Sequence, residues 1–190
     1  QPILFIGYAP GELRLHNIVI PRFPEDAKIQ RAYVEKINGV EMLFAETKGA
    51  VIAVACSRPF KRRSVGFIGK SDGMSQLRTH GWLKREYDLA EKGNVALSAE
   101  IEPGEGDSFL LVTAFGHSQA EAAHTALASL LTGFTQSKQH YITTWQQWHE
   151  KLWSPPDADK RYPLLNSSAT TLRVSESKLF SGGILASLSI

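Results

Sequence analysis

The sequence predicts a mainly antiparallel β fold up to about Phe115, followed by a long helix. Two observations carry this prediction. Short apolar runs separated by glycine-marked turns fill the first part of the chain, with no helices alternating between them, which is typical of antiparallel sheets. At Ser118 the apolar residues change to a helical period, which continues to about Leu152.

The dipeptide Asn38-Gly39 predicts a tight β-hairpin between residues 32–37 and 40–46, because both central residues of a type I′ turn need a positive φ. Residues 50–56 are apolar on both faces, which predicts a strand buried between two layers. Turns are predicted at Ser71-Asp72-Gly73 and Gly93-Asn94. Further strands are predicted at residues 65–68, 83–87, 95–101 and 109–115.

Ser118 and Glu121 have the spacing of a capping box, which predicts the start of the long helix. Gly133 is expected to kink or divide it, since glycine costs about 1 kcal/mol in a helix interior. The prolines after Ser154 end this pattern, and a second helix is predicted at residues 164–179. Apolar residues at steps of three, four or seven predict one stripe along the long helix: Leu127, Leu131, Phe134, Tyr141, Trp145, Trp148 and Leu152.

Composition excludes several classes of function. The 190 residues hold 21 Lys and Arg against 19 Asp and Glu, so there is no overall basic field for nucleic acid. No run reaches the roughly 18–20 apolar residues of a membrane helix. The single cysteine, Cys56, lies in an apolar run and is interpreted as a core residue. The six histidines show no metal-ligand spacing, so neither a metal nor a cofactor is predicted.

Each candidate for chemistry has a structural interpretation beside it. The basic residues 58–63 are interpreted as a solvated loop rather than a phosphate grip. Tyr141, Trp145 and Trp148 suit either sugar stacking or packing, and packing is favoured. Ser71 has no histidine base with a defined place, so a catalytic triad is not supported. Four acids beside a glycine- and proline-rich turn are expected to be exposed, and none is assigned as catalytic: Glu100, Glu102, Glu105 and Asp107.

Both ends of the chain are apolar. Residues 3–6 follow Gln1-Pro2 directly, and residues 183–190 close the chain with an apolar run. Chain termini are normally polar and exposed. We therefore expect that the chain is an internal piece of a longer protein.

Four segments together resemble bacterial glucoamylases and glucodextranases of glycoside hydrolase family 15. Residues 61–73 are similar to a segment of their N-terminal β domain, with Met74 where a tryptophan is usual, and residues 93–101 are similar to the strand that follows. Residues 118–152 resemble the linker helix. Residues 168–190 resemble the opening of the catalytic domain, most specifically from Ser181 onward.

The resemblance implies that residues 1–117 are part of a β supersandwich and residues 118–160 a helical linker. Residues 161–190 would be the start of the catalytic domain, with the first helix of an α/α barrel. No catalytic residue is expected here, because both acids would lie beyond Ile190. Ser187 and Ser189 are the expected substrate-binding residues of the pocket wall. Gly182 and Gly183 would allow close backbone approach to the pocket.

The implied parent enzyme is an exo-acting, inverting hydrolase that releases glucose from the non-reducing ends of α-1,4 or α-1,6 glucans. This chain would serve a structural role in it. Its expected partners are the remainder of the enzyme and, through the catalytic domain, an α-glucan or oligosaccharide, with no nucleic acid and no membrane. The resemblance favours an extracellular or periplasmic location. Three alternatives stay open: a glucosyl-transferring relative, a sugar phosphorylase, and a non-catalytic carbohydrate-binding or scaffolding domain.

Overall fold

The computed structural model describes residues 3–8, 15–19, 31–101, 108–152, 164–177, 180 and 182–184, the first two ranges as backbone only. The described residues form nine strands: β1 Ile3–Tyr8, β2 Leu15–Val19, β3 Arg31–Ile37, β4 Val40–Thr47, β5 Ala50–Cys56, β6 Phe60–Phe67, β7 Leu89–Glu91, β8 Val95–Ile101 and β9 Ser108–Gly116. They also form three helices: α1 Gly73–His80, α2 Gln119–Lys151 and α3 Leu165–Val174.

The strands form two sheets in which every pair is antiparallel. A six-stranded sheet has the order β1-β9-β5-β4-β3-β7, and a three-stranded sheet has the order β2-β8-β6. The predicted mainly antiparallel fold followed by a long helix is confirmed. None of the helices in the described part of the chain is long and apolar enough to cross a bilayer.

One core lies between the two sheets. It takes alternate residues of the facing strands, such as Leu43 and Val54 from the larger sheet and Val65 and Leu97 from the smaller one. Cys56 belongs to this core, and burial raises the pKa of its thiol. The prediction that Cys56 is a core residue is therefore confirmed.

A second core lies on the opposite face of the larger sheet. Met42, Phe44 and Val112 pack there against three alanines at the start of α2: Ala122, Ala123 and Ala126. Strand β5 contributes to both cores, which explains why its sequence is apolar at every position. The prediction of a strand buried between two layers is confirmed.

The predicted hairpin turn at Asn38-Gly39 and the predicted capping box at Ser118 are both present. Asn38 and Gly39 have φ values of 48° and 84°, and Ile37 pairs with Val40, as a type I′ hairpin requires. The Ser118 hydroxyl oxygen accepts the Glu121 N–H at 3.3 Å. The Glu121 carboxylate reaches back to the N–H of His117, one residue before the cap, at 2.7 Å.

Helix α2 changes direction at Gly133, whose φ of 75° and ψ of 167° are not helical, as predicted. The predicted single stripe is wrong, because Leu131 is 88% exposed. Small residues at the start of the helix face the sheet, and Leu127, Leu130 and Phe134 flank them. The stripe assumed one continuous period of 3.6 residues, which the break at Gly133 interrupts.

Residues 83–87 do not form the predicted strand, and the strand of this region is β7. Their backbone groups bond elsewhere: Tyr87 N–H donates to the Ser64 hydroxyl at 3.2 Å, and Arg85 N–H to the Gln76 side chain at 2.7 Å. Ser71-Asp72-Gly73 is not the simple turn that the sequence predicts. Asp72 is instead the N-cap of helix α1, which was not predicted.

Two other boundaries differ from the predictions. The basic run 58–63 is not a solvated loop, since β6 begins at Phe60 and carries a bulge between Phe60 and Arg62. The last predicted helix is shorter than expected. It ends at Val174, because the chain turns at Ser175 and Glu176 pairs with Ile184 in an antiparallel bridge.

Candidate functional site

Of the predicted pocket residues, Ser187 and Ser189 lie outside the described residues, whereas Gly182 and Gly183 belong to a tight loop after α3. The loop is closed by the Glu176–Ile184 bridge and by two backbone hydrogen bonds. Ser177 N–H donates to the Gly183 carbonyl at 2.7 Å, and Gly183 N–H donates to the Phe180 carbonyl at 3.0 Å.

Both glycines have local reasons to be there. Gly182 has a φ of +79°, which favours glycine, and its N–H donates to the Glu176 carboxylate at 2.8 Å. A Cβ on Gly183 would lie 3.1 Å from the Phe180 carbonyl oxygen. Glu176 also pairs with Arg173 at the base of the loop. The loop's own backbone therefore accounts for both glycines, and their role beside a substrate stays a prediction.

Several carboxylates in the described part of the chain take part in structural contacts. Glu46 pairs with Arg31 and accepts a hydrogen bond from the Tyr33 hydroxyl at 3.1 Å. Burial of Tyr33 raises the pKa of its hydroxyl, and the negative charge of Glu46 raises it further. Glu35 accepts the Gln119 amide at 2.6 Å. No group of three or more histidine, cysteine or acidic side chains suited to a metal occurs among these residues.

Glu100 departs from the expectation of exposure. It is 2% exposed on β8, in a strand whose seven residues are all buried. The odd-numbered residues of β8 belong to the inter-sheet core, so Glu100 shares the opposite face of the strand with Ser98. On that face the Ser98 hydroxyl accepts the Gly73 N–H from residues 68–87, which we call the cover segment. Glu102, Glu105 and Asp107 lie outside the described residues. This burial was not predicted, because nothing in the sequence of residues 68–87 indicates that they pack onto the smaller sheet.

The cover segment is tied to the smaller sheet through small residues. The Ser98 hydroxyl accepts the Gly73 N–H at 3.2 Å, and a Cβ on Gly66 would lie 2.2 Å from the Ser71 carbonyl oxygen. The Asp72 carboxylate accepts the N–H groups of Gly69 and Ser75 and the Ser75 hydroxyl. These contacts explain the glycines and the Ser-Asp-Gly sequence of residues 61–73 by the way the segment packs.

Two arginines of the basic run 58–63 make different contacts. The Arg62 guanidinium lies 4.1 Å from the centroid of the Trp82 ring, a cation–π contact that secures the cover segment. Arg63 bonds three carboxylates: Glu41 at 3.2 Å, Glu86 at 2.7 Å and Asp88 at 3.0 Å. Burial lowers the pKa of Arg63, but these carboxylates together raise it above its ordinary value. Both arginines are structural.

The aromatic residues of the second half of α2 contact each other. Trp145 and Trp148 meet edge to face with their centroids 5.5 Å apart, and the His149 ring lies 4.8 Å from Trp148. Both tryptophans are half-buried, whereas Tyr141 is exposed. Offset and edge-to-face geometry is the ordinary way in which aromatic rings pack. This arrangement favours the packing interpretation.

Two packed antiparallel sheets and a long helix that leads from them define the chain as a β-sandwich-like domain with a helical extension. A family model described as glucodextranase, domain N, matches residues 5–150. The chain belongs to this family, and the resemblance to glycoside hydrolase family 15 is confirmed.

Two relatives agree with this assignment. The chain is 28% identical over 179 residues to a glucoamylase of Clostridium sp. (strain G0005), covering 94% of this chain and 25% of that protein. It also matches the crystal structure of a bacterial glucoamylase complexed with acarbose, with a TM-score of 0.88 and 29% identity over 100% of this chain and 28% of that one. The chain thus spans about a quarter of the length of these relatives.

Proposed function

We propose that this chain is the accessory part of an exo-acting, inverting α-glucan hydrolase that releases glucose from non-reducing ends of α-1,4 or α-1,6 glucans. In this proposal residues 1–117 form part of the β supersandwich, residues 118–160 link it to the catalytic domain, and residues 161–190 begin that domain. The observation that carries the proposal is the match of the whole chain to a bacterial glucoamylase at 29% identity.

The chemistry supports placing the catalytic acids elsewhere. Inverting hydrolysis needs one carboxylic acid to protonate the leaving oxygen and one carboxylate to activate water on the opposite face, about 6.5–9.5 Å away. Among the described acids, Glu41 and Asp72 hold structural contacts and Glu100 is buried. We therefore place the acid pair beyond Ile190, in the part of the relatives that this chain does not span.

The role that we assign to this chain is mechanical. The two sheets and the first half of α2 share two continuous apolar cores, which makes a rigid body on which a neighbouring domain can be held. The loop at Gly182 and Gly183 would then set the direction of residues 185–190. Ser187 and Ser189 remain our proposed residues of the pocket wall.

The test compares the 190-residue chain with the complete protein that contains it. Each is incubated with maltose and with isomaltose, and glucose release and its anomeric form are followed by proton NMR. We expect the complete protein to release β-glucose and the 190-residue chain to release none. Glucose release by the 190-residue chain alone would refute the placement of the acids.

The same assay separates the remaining reactions. An acceptor sugar would yield new oligosaccharides if the protein transferred glucosyl units, and turnover that required phosphate would mark a phosphorylase. Substitution of Glu100 by glutamine in the complete protein should leave kcat unchanged as long as the protein stays folded. A large loss of kcat in a folded Glu100→Gln protein would place a reacting carboxylate within this chain.

A further inference from the structure

A shallow polar cleft lies on the cover segment, between α1 and residues 85–87. Three of the side chains that line it are basic: Lys70, His80 and Arg85. Tyr87 adds a phenolic hydroxyl, and Gln76 lies in the wall. The residues that line the cleft include no carboxylate.

The acids nearest in sequence are engaged elsewhere. Asp72 is buried and accepts hydrogen bonds from the first turn of α1, while Glu86 and Asp88 bond Arg63. Within residues 31–101 and 108–152, no ion pair or side-chain hydrogen bond engages Lys70, His80 or Arg85. The cleft therefore gathers positive charge that its own surroundings do not neutralise.

The walls of the cleft are held in place by partly buried hydrogen bonds. The Gln76 side chain donates to the Ser71 carbonyl at 3.3 Å and accepts the Arg85 N–H at 2.7 Å. Tyr87 is fixed through its backbone, which donates to Ser64 at 3.2 Å and accepts from Val65 at 2.9 Å. A site with a fixed backbone loses less entropy when a ligand binds.

The available donors define the ligand. Ser75 and Thr79 already donate their hydroxyl protons, to Asp72 and to the Ser75 carbonyl respectively. The donors left for a ligand are the Lys70 ammonium, the Arg85 guanidinium, the His80 ring and the hydroxyls of Tyr87 and Ser71, the last of which only accepts a bond from the Phe67 N–H. Such a set suits a compact oxyanion, since charged donors bond anionic oxygens about twice as strongly as neutral ones.

We propose that this cleft binds a small inorganic oxyanion of the phosphate or sulfate type. The site goes beyond the proposed glucan hydrolysis, because glucans carry no charge and the neighbouring cations Lys70 and Arg85 offer them little. It lies on the outer side of the smaller sheet, where a bound anion would join α1 to residues 85–87. The anion would thereby stabilise the cover segment by linkage.

The test titrates the full chain with inorganic phosphate and with sulfate, against potassium chloride at matched ionic strength, and follows backbone amide signals by NMR. We expect saturable shifts centred on Lys70, Gln76 and Arg85 with both oxyanions. The Lys70→Gln/Arg85→Gln protein should bind at least about tenfold more weakly, because it lacks both charged donors and these exposed groups are partly screened by solvent.

The matched control is the Arg78→Gln/Lys84→Gln protein, which loses the same charge from exposed positions of the cover segment outside the cleft. It should bind phosphate as the unaltered chain does. Equal weakening in both double variants would overturn the proposal, as would the absence of saturable shifts up to about 50 mM phosphate. Circular dichroism confirms that each variant is folded. If a variant is unfolded, the titration of the unaltered chain decides alone. Amide shifts spread over its whole surface, instead of centred on the cleft, would then overturn the proposal.

Discussion

Ser98 on β8 and Gly73 at the start of α1 approach each other so closely that no side chain fits between them. The Ser98 hydroxyl accepts the Gly73 N–H at 3.2 Å, and a Cβ on Gly73 would lie 2.3 Å from that hydroxyl oxygen. Both residues are buried. This contact sets the height of α1 above the smaller sheet and so positions the cover segment.

Substitution of Gly73 by alanine should therefore destabilise the protein by about 1–3 kcal/mol, the usual cost of overpacking a rigid site. Urea unfolding measures the change. Ser98→Gly alone is the control, and the Gly73→Ala/Ser98→Gly pair should recover part of the loss because the clashing side chain is gone. Strictly additive free energies in this cycle would show that the two residues do not share the contact.

Asp72 gives the stability a dependence on pH. Burial raises the pKa of its carboxyl, but hydrogen bonds from Ser75, Gly69 and Met74 outweigh burial and hold the pKa below 3.8. A pKa lowered by folding contributes stability above the unfolded value, and that contribution is lost as the pH falls through the folded value. Asp72→Asn should thus cost about 1 kcal/mol at pH 7, since the amide nitrogen cannot accept the hydrogen bonds that the second carboxylate oxygen accepts.

The difference between Asp72→Asn and the unaltered protein should shrink as the pH falls below about 4, because the carboxyl then becomes protonated. Urea unfolding at a series of pH values from 7 downward measures it. A difference that stays constant down to pH 2.5 or so would mean that the charge of Asp72 contributes nothing.

Arg63 links β6 to Glu41 of β4, to Glu86 of the cover segment and to Asp88 just after it, with its side chain 21% exposed. Arg63→Met should cost about 1 kcal/mol after allowance for solvent screening, because it leaves Glu41, Glu86 and Asp88 without their shared cation. The loss should be smaller in high salt. Lys84→Met removes one exposed charge outside this network and should change little. Equal effects of the two substitutions on urea unfolding would contradict the network.

Trp148 tests whether the aromatic residues of α2 pack or bind sugar. If they pack, Trp148→Ala should lower the free energy of unfolding by about 1–2 kcal/mol and leave migration through gels containing amylopectin or dextran unchanged. Gln147→Ala, an exposed neighbour on the same helix, serves as the control. Loss of retardation by glucan at unchanged stability would favour the carbohydrate-binding alternative.

Short-range signals were sufficient for a large part of the fold. Asn38-Gly39 specifies its hairpin because few dipeptides tolerate two positive φ values, and Gly133 breaks α2 because it adopts an extended left-handed conformation. The two-sided apolar run of β5 predicted a layer on each face. These features depend on backbone conformations and periods that neighbouring residues set by themselves.

Short-range signals did not predict the structure of the cover segment. Residues 83–87 are predicted as a strand, yet the N–H groups of Arg85 and Tyr87 bond the side chains of Gln76 and Ser64. Helix α1 has eight residues, too few to show a clear period, and it rests on the sheet through Gly73. The burial of Glu100 and the grouping of Lys70 with Arg85 follow from this docking.

The sequence by itself determined strands β3, β4, β5, β8 and β9, the turn at Asn38, the break at Gly133 and the family resemblance, because each is written in contiguous residues. Only the tertiary structure decided that the cover segment lies over Ser64 and Ser98, and that three basic side chains meet at one cleft. The physical reason is that these contacts join residues 23 and 25 positions apart. Their partners are chosen by packing, not by propensity.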